Sequence, residues 1–190
     1  MAKLLKGEKF PDFTVDTHEK TGVKMSEITD GKPTAILVIR YIGCTVCRYD
    51  VHRIETNYQK FVDAGINVCV VMQSTPENVN NDLKRTNATL HFPIICDSKQ
   101  EIYETLDIKP AESMEALIGG DMAGLQAKGA LARQAGFSHG IYEGNEQQLP
   151  AFFFVDGDMT AKVAHYAKNI VDIPNVDEML AIAKAAKWFD

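Results

Sequence analysis

Two cysteines with two residues between them, Cys44 and Cys47, are the residues of this sequence best suited to chemistry. They follow an apolar run, TAILVI, and precede a helical pattern. Thiols at this spacing can meet across the first turn of a helix, so a mixed disulfide formed at one cysteine can be resolved by the other. Free N–H groups and the positive end of the helix dipole favour the thiolate there, which is the attacking species. The pair therefore predicts thiol–disulfide chemistry.

The helical pattern after the pair gives each cysteine a predicted role. Apolar residues recur in steps of three and four along one stripe: Cys47, Val51, Ile54, Tyr58 and Phe61. This period is typical of one helix, which Gly65 would end. Because Cys47 is in register with the stripe, we expect it to face the core and Cys44 to be more open to solvent. We therefore predict that Cys44 attacks and Cys47 resolves.

Three further residues are predicted to belong to the site. Arg40 and Arg48 bracket the cysteines and could add positive potential that supports a thiolate. Pro150 directly precedes a core strand, where proline is tolerated at the first position. A cis Leu149–Pro150 bond would let that loop lie against the cysteines and offer backbone groups to a bound peptide. An ordinary trans proline at a strand start is the alternative.

Metal binding is the main chemical alternative. A structural zinc site needs about four ligands, usually from two such pairs, and this chain has one pair. Cys69 and Cys96 lie in apolar runs and are predicted to be core residues. His139 and His165 could bind copper beside the cysteines, but neither has ligand spacing to them, so we predict no metal. A metal carrier, a non-catalytic binding module and an accidental pair stay as alternatives.

Composition limits the function classes. The 190 residues are 45% hydrophobic and 24% charged, which predicts a single domain over residues 1–190. The net charge of −6 is spread along the chain and argues against nucleic acid or an anionic membrane as a partner. The N-terminus lacks the apolar region of a signal peptide, so we expect a cytoplasmic protein. Thiols are kept reduced in that compartment, so a disulfide scaffold is not expected.

The order of elements predicts the fold class. An N-terminal hairpin is followed by the pattern βαβαβ and then by ββα. The first buried strand covers residues 34–41, and Thr75 and Pro76 stand in the favoured cap and first positions of a later helix. The two crossovers predict parallel strands and the closing hairpin adds antiparallel ones. We therefore expect a three-layer α/β/α sandwich.

A helical insertion interrupts this order at residues 110–148. Two apolar faces separated by glycines predict broken helices within the domain, and exposed Phe and Met residues could form a homodimer face or a lid. The last helix is predicted to carry acidic residues in its first turn and Lys184 and Lys187 near its end, as the helix dipole prefers.

The motif resembles a known group of proteins. The segments 7–15, 34–55 and 148–169 are similar to the thioredoxin fold, and within it to the peroxiredoxin-like AhpC/TSA branch. The match is to a subgroup with the pattern R-Y-x-G-C-x-x-C-R, carried here by Arg40, Tyr41, Gly43, Cys44, Cys47 and Arg48. The resemblance adds Tyr41 to the residues predicted to bind substrate or support the thiolate. The resemblance implies a thiol-dependent oxidoreductase that needs no organic cofactor or metal. A thioredoxin- or glutaredoxin-like protein would reduce it, and its substrate would be a peroxide or a disulfide.

The sequence departs from typical peroxiredoxins at the peroxide pocket. Those proteins place a proline and a threonine or serine before the peroxidatic cysteine. If Cys47 takes the peroxidatic position, Cys44 stands in the threonine place and Arg40 in the proline place. In this alternative the protein is a true peroxiredoxin with Cys47 as peroxidatic residue and Cys44 as resolving residue.

The distant arginine of the peroxide pocket is also absent from its expected place. Gln147 and Gln148 stand there, and Arg133 in the insertion is a weak substitute.

Overall fold

A five-stranded sheet forms the centre of the computed structural model, which describes residues 2–186. Its strands lie in the order β5-β4-β3-β6-β7. Their bounds are β3 Thr34–Val38, β4 Asn67–Met72, β5 Ile94–Cys96, β6 Ala151–Val155 and β7 Ala161–Tyr166. Strands β3, β4 and β5 run parallel, and β6 and β7 add the antiparallel part. The predicted mixed sheet is confirmed, and Lys187 lies outside the described residues.

Strand β3 is the central strand and leads to the cysteines. All five of its residues are buried, because β4 and β6 flank it and helices cover both faces. Val38 is paired with Val71 on one side and with Ala151 on the other. The regular strand ends at Val38, three residues before the predicted end, and the chain then turns toward a helix.

The N-terminal hairpin is confirmed. Strand β1 (Thr14–Val15) pairs antiparallel with β2 (Val23–Lys24), and helix α1 (Met25–Thr29) follows at once.

Helices cover both faces of the sheet. The face formed by Ala35, Leu37 and Ile39 belongs to a core that includes residues of α2 Thr45–Thr56, α3 Tyr58–Ala64, α4 Pro76–Arg85 and α8 Val176–Ala186. The opposite face packs against α1 and α5 (Glu101–Thr105). The three-layer sandwich is thus confirmed. No helix within residues 2–186 combines the length and apolarity needed to cross a bilayer.

The predicted single helix after the cysteines is wrong, because the chain breaks at Asn57. This residue leaves the helical conformation, with φ −115° and ψ 13°, and separates α2 from α3. Its side-chain amide donates to the carbonyl of Arg53 at 2.9 Å. Asparagine competes with the helix in this way for backbone groups. Gly65 ends α3 in the left-handed conformation, as expected.

The insertion at residues 110–148 is helical, as predicted. It contains α6 (Met114–Ile118) and α7 (Met122–Gln134), and α7 packs against α2. The irregular chain after α7 returns to the start of α2. This return places the insertion at the cysteines.

A buried ion pair fixes the position of α2. Nε of Arg48 donates to Oδ2 of Asp82 on α4 at 2.6 Å, and Nη2 donates to Thr86 at 2.9 Å. The guanidinium also lies 4.5 Å from the ring centre of Phe137. Both charged side chains are buried. A buried charge needs such partners, because its hydration is lost.

The Arg48–Asp82 pair yields a stability prediction. Asp82→Ala leaves the guanidinium buried without its carboxylate, so we expect the free energy of unfolding to fall by about 3–5 kcal/mol. The exposed pair of Lys60 and Asp177 is the control, and Asp177→Ala should cost less than about 1 kcal/mol. Urea titrations of both variants measure the difference. Equal losses would contradict the structural importance of Arg48.

Candidate active site

Cys44 begins helix α2. It is the N-cap residue, with extended backbone, and its Sγ accepts the N–H of Cys47 at 3.3 Å. Its carbonyl accepts the N–H of Arg48 and starts the helical ladder. The sulfur therefore occupies the place where a polar side chain normally satisfies the free N–H groups of a first turn.

Both cysteines are reduced and buried, with exposed fractions of 1% for Cys44 and 3% for Cys47. The two thiols interact, and each shifts the pKa of the other. The expectation that Cys44 is the more open residue is wrong. Distant parts of the chain cover the start of α2, which the helical period alone does not reveal.

Arg40 binds the cysteine pair. Its Nη2 donates to Sγ of Cys44 at 2.9 Å, and its Nη1 donates to the carbonyl of Glu146. Burial disfavours the charged guanidinium, but the two adjacent sulfurs outweigh burial and raise the pKa of Arg40. Arg40 thus lies where a thiolate-supporting cation is needed. Arg48, the other arginine predicted to support the thiolate, directs its hydrogen bonds to Asp82 and Thr86 instead.

The two thiols differ in acidity. Burial raises the pKa of Cys44 well above its ordinary value. Burial also opposes the thiolate of Cys47, but the hydrogen bond from Cys44 and the charge of Arg40 lower the pKa of Cys47 to about 6. Arg40 and the interaction between the thiols therefore favour one thiolate in the pair, and the two ionisations belong to the pair rather than to either residue.

Tyr41 lies beneath the covering chain. It is buried, and its hydroxyl is hydrogen-bonded to Nε2 of His139 at 3.2 Å. Burial raises the pKa of Tyr41, so the phenol is neutral. Its hydrogen bond joins the cysteine motif to the insertion.

Pro150 does not adopt the expected conformation. The described chain contains no cis peptide bond, so the prediction of a cis Leu149–Pro150 bond is wrong. The carbonyl of Pro150 accepts the N–H of Ala167 and extends the pairing of β6 with β7. Its carbonyl is therefore engaged in the sheet rather than free for a bound peptide.

Residues 137–146, called the cover segment below, lie over the start of α2. The N–H of Gly140 donates to the carbonyl of Gly43 at 2.8 Å. A side chain at Gly43 has no room, because an added Cβ would lie 2.1 Å from the carbonyl oxygen of Ile141. His139 stacks on Tyr142 with ring centres 4.1 Å apart. Glycine at position 43 therefore lets the cover segment approach the residue next to Cys44.

Glu143 anchors the cover segment. Its carboxylate accepts hydrogen bonds from Ser74 Oγ at 2.7 Å, from the N–H of Thr75 at 3.1 Å and from Asn78 Nδ2 at 2.8 Å. The last two donors belong to the start of α4, where negative charge is favoured. The cover segment is thus held by backbone pairing at one point and by a charged cap at another.

A cavity of about 330 Å³ opens beside the covered cysteines. Its walls include Ile42, Gly43, Asn81, Arg85, His139 and Ile141. It therefore lies next to Gly43, the residue that precedes the N-cap.

The geometry does not support a metal site among the described residues. Within residues 2–186 no three histidine, cysteine or acidic side chains are grouped as metal ligands would be. His165 is hydrogen-bonded to the carbonyl of Asp172. Burial raises the pKa of Cys69 and of Cys96 to about 12, so both are neutral thiols in their strands.

Four residues near the pair were missed by the sequence reasoning. They are Asp50, Lys128, His139 in its contact with Tyr41, and Glu143. Asp50 gave a signal, since it is a carboxylate three residues after Cys47 in an otherwise apolar helix face. The partners from the insertion gave none, because their contacts cross about 65 to 98 residues of chain.

Comparison with known proteins identifies the family. The model of the AhpC/TSA family matches residues 6–164. The chain belongs to the AhpC/TSA family. No curated protein matches the sequence of this AhpC/TSA protein.

Solved structures share its fold at low sequence identity. Peroxidoxin BcpB from Mycobacterium tuberculosis is 10% identical with a TM-score of 0.65, over 96% of this chain and 97% of that chain. A mutant of peroxiredoxin 6 from Arenicola marina is 14% identical with a TM-score of 0.68, over 97% and 74%. A protein described as a thiol:disulfide interchange protein DsbE from Chlorobium tepidum is 18% identical with a TM-score of 0.61, over 97% and 99%.

The electrostatics of the pair predict its titration. Because the pKa of Cys47 is lowered to about 6, thiolate should appear as pH rises through that value and disappear below it. Arg40→Met removes the adjacent cation and should move the midpoint upward by about 1–3 pH units. The ultraviolet absorbance of the thiolate follows this titration without requiring access to the sulfur. Arg133→Met, an exposed arginine of the insertion, is the control and should leave the midpoint unchanged.

The cover segment predicts restricted reactivity. Glu143→Gln weakens the charged cap on α4, so the segment should open more often and alkylation of the reduced cysteines should become about tenfold faster. Mass spectrometry of Cys44 and Cys47 over time measures the rate. The exposed Glu112→Gln exchange in the insertion serves as control. An unchanged rate in Glu143→Gln would show that the segment does not limit access.

Proposed function

We propose that this AhpC/TSA protein is a thiol–disulfide oxidoreductase that cycles Cys44 and Cys47 between dithiol and disulfide. One observation carries the proposal: a buried guanidinium and a helix N–H converge on the sulfur of Cys44, and a second buried cysteine lies one helical turn further on. Buried structural cysteines such as Cys69 lack such a cation. The family and the fold neighbours support thiol redox chemistry as the general class.

The cycle with a disulfide substrate needs two exchange steps. The thiolate of the pair attacks one substrate sulfur, forms a mixed disulfide and expels the other substrate sulfur as a thiolate. The second cysteine loses its proton and attacks the mixed disulfide, which releases the reduced substrate and forms the Cys44–Cys47 disulfide. The substrate has gained two electrons from the protein. A thioredoxin- or glutaredoxin-like dithiol protein returns two electrons and is itself oxidised.

Two observations bear on which thiol attacks first. The lower pKa favours Cys47, whereas the direct donors Arg40 Nη2 and the Cys47 N–H lie on the sulfur of Cys44. Each thiol affects the ionisation of the other, so either sulfur can become the thiolate. We assign the first attack on a disulfide to Cys44, because its sulfur receives both direct donors and it adjoins Gly43, where the cover segment meets the start of α2.

The lowered pKa of Cys47 favours a second candidate function, a peroxidase. In that reaction the Cys47 thiolate attacks a hydroperoxide and, with one proton, yields a sulfenic acid and an alcohol or water. The Cys44 thiol then condenses with the sulfenic acid, which releases water and forms the same disulfide. Nε of Arg40 is buried and has no hydrogen-bond partner within the described residues, so it is free to donate to a peroxide oxygen.

Single-cysteine variants test the proposal and separate the two reactions. For the disulfide exchange, Cys47→Ser should trap a mixed disulfide on Cys44, and Cys44→Ser should abolish attack. For the peroxidase, Cys44→Ser should accumulate a sulfenic acid on Cys47, and Cys47→Ser should not be oxidised. Mass spectrometry after addition of a model disulfide or of hydrogen peroxide measures each adduct.

The control for these variants is Cys69→Ala, which changes a buried cysteine in β4. It should form the Cys44–Cys47 disulfide as the wild type does. If the wild-type protein forms no such disulfide with either oxidant, both candidate functions fail.

A further inference from the structure

A buried carboxylate lies one turn beyond Cys47 in helix α2. Asp50 is three residues after Cys47, on the same side of the helix, and has an exposed fraction of 2%. A carboxylate this deeply buried is costly unless cations compensate it. The carboxylate of Asp50 disfavours the thiolate of Cys47, because two adjacent negative groups repel each other.

The inserted helix α7 supplies the compensating cation. Nζ of Lys128 donates to Oδ2 of Asp50 at 2.7 Å, and the Lys128 side chain has an exposed fraction of 11%. Arg53, one turn further along α2, binds the other carboxylate oxygen. Lys128 is therefore a nearly buried charge that the insertion brings to α2, one turn beyond Cys47.

We propose that Lys128 and Asp50 are positioning residues that control thiolate formation at Cys47. The cation of Lys128 partly neutralises the carboxylate of Asp50, which would otherwise repel the thiolate. This inference rests on the proposed function, in which the Cys47 thiolate attacks the mixed disulfide or, in the peroxidase reaction, the hydroperoxide. It assigns a role to the insertion beyond covering the cysteines.

The signs of the contributions are clear. Burial raises the pKa of Cys47, and the hydrogen bond from Cys44 and the charge of Arg40 lower it. Asp50 raises this pKa and Lys128 lowers it. The two effects oppose each other, so the wild-type acidity depends on both members being present.

Two tyrosines also lie near Cys47, and both are uncharged. Tyr41 follows β3, and Tyr103 belongs to α5 on the far side of the sheet. Burial raises the pKa of both tyrosines, so each is neutral when the thiol titrates. Within the described residues, the charges with the largest effect on Cys47 are those of Arg40, Asp50 and Lys128. Arg53 binds the other oxygen of the Asp50 carboxylate.

The test is the pH midpoint of thiolate absorbance in the reduced full-length protein. Lys128→Met should raise the midpoint by about one pH unit, because the carboxylate then opposes the thiolate more strongly. Asp50→Asn should lower it by about one pH unit, because the opposing charge is gone. Lys128→Arg keeps the charge and should restore a midpoint near that of the wild type.

Matched controls separate this role from a merely structural one. Lys60→Met removes a lysine from an exposed ion pair and should leave the midpoint unchanged. If Lys128 only attaches α7 to α2, Lys128→Met lowers the free energy of unfolding without moving the midpoint, and the proposal is overturned. Asp50→Asn is nearly isosteric, and an unchanged midpoint in that variant overturns it as well.

This outcome is independent of the proposed redox cycle. Absorbance reports the thiolate whether or not the protein reduces a substrate. If the wild type forms no Cys44–Cys47 disulfide but the midpoint shifts in Lys128→Met, the redox function fails and the positioning role stands. If the disulfide forms normally and the midpoint does not shift, the positioning role fails alone.

Discussion

The contact between Arg40 and the sulfur of Cys44 is the interaction on which the site depends. It removes a guanidinium and two thiols from water together, and each would be costly to bury in charged form alone. The cation makes one thiolate acceptable in the interior, and the sulfur pair in turn raises the pKa of Arg40. Strand β3 and helix α2 hold the two groups four residues apart, at the turn where the core strand becomes a helix.

Arg40 and the two cysteines are buried, so the insertion that covers them controls whether a reactant can reach the sulfurs. Arg40 binds both Cys44 and the carbonyl of Glu146, which closely follows the anchored part of the cover segment. Displacement of that segment would therefore expose the sulfurs and also loosen one hydrogen bond of the cation beside them. Access and acidity are coupled in this arrangement, because the same guanidinium takes part in both.

The insertion acts on α2 from two directions. Its irregular part covers the amino end of the helix, while α7 lies along the helix and carries Lys128 to Asp50. The sheet and α2 present the cysteines, and residues 110–148 supply the covering chain and the cation of Lys128. Ile141 and Tyr142 of the cover segment are both largely exposed.

Local sequence determined the elements that carry the cysteines. Local sequence patterns are enough to predict the strand β3, the helical stripe after it and the place of Cys44 at their junction. The sandwich and the motif could therefore be predicted. Asn57 broke the expected helix through a side-chain hydrogen bond that periodicity does not register. The tertiary structure alone decided that Arg48 serves Asp82, that Cys44 is covered, and that Lys128 reaches the site. Those outcomes depend on contacts between residues 34 or more positions apart. The spacing of residues along the chain does not reveal which distant residues meet in the folded protein.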